Sequence, residues 1–176
     1  LGPQLVADQR TSQSYDFMRS LPVPHTASAL AWYTVCVIGG LPAVAVSLAV
    51  AALRYDGLPL AIGADVVPAM LLTAFTGTML GLALAHAISS PMVTRSLTQL
   101  IVFGIFGATP LLFPIEQLPG WLGSLNWWLP FRHMADVIRA SLTDLPYPDL
   151  AISYAVLIVW AVVAGTLAVR ALGRRR

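Results

Sequence analysis

The sequence predicts an all-α integral membrane protein, with about four transmembrane helices plus an outer amphipathic or re-entrant helical segment. Three observations carry that prediction. Hydrophobic residues make up 57% of the chain and charged residues only 10%, with mean hydropathy +0.77, whereas a soluble domain carries roughly 25% charged residues. The apolar residues are gathered into runs long enough for a hydrocarbon core of about 30 Å, instead of being spread at amphipathic spacing. The arginines stand outside these runs or at their ends.

Residues 1–28 are the most polar stretch. They start without Met and without a basic-then-apolar leader, and read as the inside of a longer protein. Within them residues 8–18 predict a short amphipathic helix: Leu5, Tyr15, Met18 and Leu21 are apolar, while Asp8, Arg10, Gln13 and Asp16 are polar, and Pro22 and Pro24 end it. The first span is predicted over residues 29–53. Gly39, Gly40 and Pro42 interrupt it, and breakers are tolerated in lipid where neighbouring helices re-satisfy the backbone, so this face is expected to pack inward.

The second span is expected over residues 66–88, with Pro68 in its first turn, where a missing N–H costs little. Gly77 and Gly81 stand at GxxxG spacing, which reads as close helix packing. A third span over residues 96–113 carries Gly104, Gly107 and Pro110, so its outer end is expected to kink. Residues 114–149 are too polar to span, yet hold Trp121, Trp127, Trp128 and Phe131, the composition of a segment at a headgroup boundary. Pro130 starts an amphipathic helix there, with Phe131, Met134, Ile138 and Leu142 on one face and Arg132, Asp136 and Arg139 on another. The fourth span, residues 150–169, leads into a basic tail, residues 173–176.

Four spans put both chain ends on one side. Arg10, Arg19, Arg95, Arg170 and the three terminal arginines lie there, against Arg54, Arg132 and Arg139 opposite, so the positive-inside rule makes both ends cytoplasmic. The net charge of +2 does not point to nucleic acid, because no aromatic residues interleave with the arginines.

Inventory removes several chemistries. All ten basic residues are Arg, so a P-loop, which needs its Lys on the phosphates, is excluded from this chain, and so is Schiff-base catalysis. The single Cys36 sits in an apolar run and reads as a small buried hydrophobe. His25, His86 and His133 lie on different segments, no HExxH or GxSxG occurs, and no catalytic or metal site is expected. His86 reads as a capped or snorkelling side chain, and His133 with Asp136 as an i, i+3 surface pair. Glu116 is different: an acid in an apolar outer segment is costly unless wet or paired, which suggests gating or cation attraction.

Two stretches carry a family likeness. Leu111-Leu112-Phe113-Pro114, Leu118-Pro119-Gly120-Trp121-Leu122 and Leu129-Pro130-Phe131 form one; Asp8-Gln9-Arg10 through Ser20-Leu21-Pro22-Val23 forms the other. Together they resemble the permeases of the ABC type-2 exporter family, over essentially the whole chain. Ser12 and Gln13 depart from the Gly that the family often has in this loop. Family members have six spans, so the first two have no counterpart here, through truncation, a split gene or an incomplete sequence.

The resemblance implies a multi-pass permease of a bacterial plasma membrane, not an enzyme, exporting drug-like or lipid-like amphiphiles by alternating access. ATP and Mg would bind a separate ATPase subunit, and a second permease subunit, identical or not, would face this one. It further implies that Asp8, Arg10, Tyr15, Asp16, Met18 and Arg19 belong to a coupling helix docking on that ATPase, and that residues 114–144 are re-entrant helices beneath the exit. Pro110, Phe113, Glu116 and Trp121 are then the exit or gating candidates. A polysaccharide or lipid-carrier exporter of the same architecture is the alternative. A membrane-embedded enzyme would need clustered acids, bases or metal ligands, and an ion-coupled carrier would need ionisable residues at mid-membrane; the runs hold almost none.

Overall fold

A computed structural model of the chain describes residues 23–54, 63–88, 90–108, 119–143, 147 and 149–173. Among the described residues there are six helices: α1 (His25–Arg54), α2 (Val66–Ala87), α3 (Pro91–Ala108), α4 (Gly120–Trp128), α5 (Pro130–Leu142) and α6 (Leu150–Gly173). The all-α fold is as predicted. Helices α1, α2 and α6 are long and apolar enough to cross a bilayer. Their 30, 22 and 24 residues extend about 45, 33 and 36 Å against a hydrocarbon core of about 30 Å.

Helix ends differ from the hydropathy reading for a local reason. Main-chain hydrogen bonding is indifferent to side-chain polarity, so helices run on through polar residues where an apolar count stops. Helix α1 begins at His25, behind Pro24, whose carbonyl accepts the Ser28 N–H at 3.2 Å. Helix α3 begins at Pro91 and includes Arg95, because proline suits a first helical position where the N–H has no partner anyway. Helix α6 continues past Arg170 to Gly173, and a cation in a last turn complements the helix dipole.

Helices α2 and α6 lie side by side and parallel. Near their starts Ala69 meets Leu157, with Leu72, Leu150 and Tyr154 packed around them. Near their ends Met79, Leu82 and Ala85 meet Ala164 and Ala168. Apolar burial supplies little drive between helices in lipid, so close van der Waals fit has to do it. The small side chains of Ala161, Ala164 and Ala168, all buried, provide that fit. Helix α1 runs antiparallel to this pair, laying Ala29, Trp32 and Tyr33 on it. The Tyr33 hydroxyl donates to the Leu71 carbonyl at 3.1 Å, and its ring meets Phe75 edge-on at 5.4 Å.

Two packing expectations find no partner among the described residues. A Cβ on Gly39, Gly40 or Gly77 would meet nothing within 4 Å, so neither the glycine face of α1 nor Gly77 of the GxxxG pair packs against this chain. Side-chain size at Ala161, Ala164 and Ala168 of α6 sets the close approach instead. Beyond Tyr33, α1 exposes Val35, Ile38, Leu41, Val46 and Val50. The His25 ring touches the end of α6, 3.5 Å from where a Gly173 Cβ would stand. The start of α1 and the end of α6 therefore share one end of the bundle.

Helix α5 closes the other end. It seats Val137 between Ala69 and Leu157, flanked by Met134 and Ile138. Its buried line is Pro130, His133, Val137 and Ser141, one position round from the Phe131, Met134, Ile138 and Leu142 face expected from hydrophobicity, because His133 and Ser141 can be buried once hydrogen-bonded. The predicted charged face is present: Arg132 and Asp136 pair at 3.5 Å, both largely covered.

Candidate functional site

Helices α4 and α5 form a helical hairpin, and its corner is dictated by Pro130. Helix α4 starts behind Pro119, whose carbonyl accepts the Leu122 and Gly123 N–H groups at 2.9 and 3.2 Å. It ends at Trp128 because Leu129 is extended, with φ −83° and ψ 142°, the conformation a following proline favours. The last carbonyls of any helix lack intrahelical partners, and Pro130 has no N–H to give. An unsatisfied buried carbonyl costs about 1–3 kcal/mol.

Donors come from elsewhere in the fold. His133 of α5 donates from Nε2 to the Trp127 carbonyl at 2.9 Å, and Trp160 of α6 donates its indole N–H to the Trp128 carbonyl at 3.0 Å. A carbonyl can only accept, so Nε2 carries the proton; in the neutral ring Nδ1 then accepts from the Ser153 hydroxyl of α6, at 3.0 Å. His133 thus joins three helices while fully buried. Its ring also meets the Trp127 indole edge-on at 5.9 Å. The Arg132 guanidinium lies over that indole, 5.0 Å from the ring centre, in cation–π geometry.

This overturns the reading of His133 and Asp136 as a surface pair: Asp136 pairs with Arg132, and His133 points inward. The sequence did contain a signal. A proline at a helix–helix corner leaves carbonyls short of donors, and a histidine three residues later is placed to supply one.

On its far side α4 exposes Trp121, Leu125 and Trp128, spaced i, i+4, i+7 and hence on one face. Of the four exit candidates Trp121 alone is among the described residues, exposed at the start of α4; Pro110, Phe113 and Glu116 lie outside them. So do the coupling-helix residues Asp8, Arg10, Tyr15, Asp16, Met18 and Arg19. His86 is buried and its Nδ1 donates to the Leu82 carbonyl of its own helix at 2.9 Å, so it is capped and does not snorkel.

The profile of the ABC-2 family transporter proteins matches residues 2–170. The chain belongs to the ABC-2 transporter family. No curated protein and no solved structure matches it. The ABC-2 assignment agrees with three long apolar helices: the chain is a membrane protein and a transport subunit of the ABC exporter type, and the family implies partnership with an ATPase subunit.

Proposed function

We propose that this ABC-2 permease exports drug-like or lipid-like amphiphiles from the cytoplasm by alternating access, facing a second permease copy, with ATP and Mg on a separate subunit. The observation that carries the substrate class is how the bundle disposes of its polar groups. The hydroxyls of Thr73, Thr76, Thr94 and Thr98 each donate to the backbone carbonyl four residues earlier, at 2.7–3.0 Å. The interiors of α1, α2 and α6 contain no Asp, Glu or Lys, and their arginines, Arg54 and Arg170, stand in last turns. Walls of this kind offer a hydrophilic solute few groups to replace its water, and suit an amphiphile.

The absence of Lys from the sequence supports a separate motor, since a P-loop holds its phosphates with one. The coupling helix of residues 8–18 is the proposed grip for that motor, with both chain ends cytoplasmic in a bacterial plasma membrane. Isolating the native complex in lipid nanodiscs and identifying its ATPase subunit tests the partnership. Reconstitution then tests the substrate: inverted vesicles should accumulate a fluorescent amphiphile only with ATP. Uptake of an oligosaccharide and not of the amphiphile would overturn the substrate class.

A further inference from the structure

We infer that His133 is a positioning residue that makes α4, α5 and the outer half of α6 one moving body in the transport cycle, an inference resting on the exporter reading above. Each link is a specific bond. The Trp127 carbonyl of α4 is held by Nε2–H of His133 at 2.9 Å, His133 is held by the Ser153 hydroxyl at 3.0 Å, and Trp160 of α6 holds the Trp128 carbonyl at 3.0 Å. Packing joins the other pair: Val137 of α5 is buried against Leu157 of α6.

These bonds are hard to exchange for others. The corner carbonyls face Pro130, which has no N–H, and His133 and Ser153 are both buried, so a lost donor on that side has no ready replacement. Motion between α4 and α6 would break both links at once, the one through buried His133 at the greater cost, whereas motion of the hairpin together with α6 breaks neither. The direction of easy motion is therefore set by His133: the hairpin travels with the last span. The exposed Trp121, Leu125 and Trp128 face travels with it.

The two ring nitrogens allow a discriminating test. In His133→Gln the amide N–H₂ reaches where Nε2 stood and keeps the bond to Trp127; in His133→Asn the amide reaches only where Nδ1 stood and keeps the Ser153 side alone. Hydrogen–deuterium exchange over residues 120–129 is followed in the native complex in nanodiscs. Exchange should rise about tenfold or more in His133→Asn and stay within about twofold of wild type in His133→Gln. Equal protection in both variants, or equal loss in both, overturns the inference.

Export and ATP hydrolysis are measured on the same samples. His133→Asn should lose export while ATP hydrolysis persists, and His133→Gln should recover it; full export by a His133→Asn complex whose α4 exchanges freely would also overturn the inference. A wild-type complex that exports no amphiphile would strike the exporter reading instead, and the exchange comparison would still decide the role of His133.

Discussion

His25 and Gly173 are neighbours across the bundle: the imidazole that opens α1 lies 3.5 Å from where a Cβ on the last residue of α6 would stand. Segments from the two ends of the described chain thereby meet at one end of the bundle.

That contact can be loaded or left alone. Gly173→Ala places its methyl at an ordinary van der Waals distance and should leave thermal stability unchanged, or slightly raised by the better helix propensity of Ala. Gly173→Leu must push the His25 ring aside and should lower the melting temperature by roughly 2–4 °C. A thermal melt of the detergent-purified chain followed by tryptophan emission compares them, and a Leu variant as stable as Ala would show the contact to be slack.

The α2–α6 pair depends on small side chains. Ala164→Leu should cost about 1–3 kcal/mol by overpacking, because Ala164 is fully buried in the cluster with Met79, Leu82 and Ala85. Gly77→Ala, whose methyl meets nothing within 4 Å, should be neutral or stabilising in the single chain. Unfolding in a denaturing detergent titration orders the two, and the reverse order would restore Gly77 as the close-packing position.

Tyr33 ties α1 to α2 by two separable contacts. Tyr33→Phe loses the bond to the Leu71 carbonyl and should cost about 0.5–1.5 kcal/mol, keeping the edge-on ring contact with Phe75. Tyr33→Ala loses both, and a double-mutant cycle with Phe75→Ala should return a further ~0.5–1.5 kcal/mol for the aromatic pair. A vanishing coupling energy would remove the ring contact from the account.

The proposed coupling helix is tested by charge reversal. Asp16→Arg should leave ATP hydrolysis by the partner running while amphiphile export falls, and Asp16→Asn should lie between the two. Wild-type export by the Arg variant would argue that residues 8–18 do not dock the motor.

Hydrophobicity along the chain made much of this legible, though not where it mattered for the hairpin. The starts of α2 and α6, Val66 and Leu150, stand where the apolar runs begin. The face of α5 was misplaced by one position because a hydrophobic count cannot credit His133 and Ser141 with burial; their partners, Trp127, Ser153 and the Ile138 carbonyl, have to be in place first. Gly77 misled for the opposite reason, since spacing shows that two backbones can approach on one face but not that a neighbour lies there.

By itself the sequence determined membrane residence, an all-helical fold and the lack of a nucleotide-binding lysine, because composition and run length act locally and need no partner helix. Only the tertiary structure decided that α2 and α6 run parallel with alanines between them, that His25 meets Gly173, and that His133 fastens α4 to α6. Those facts depend on the register between helices. In a bilayer that register is set by shape and a few hydrogen bonds between distant residues, which leave no periodic trace in the chain.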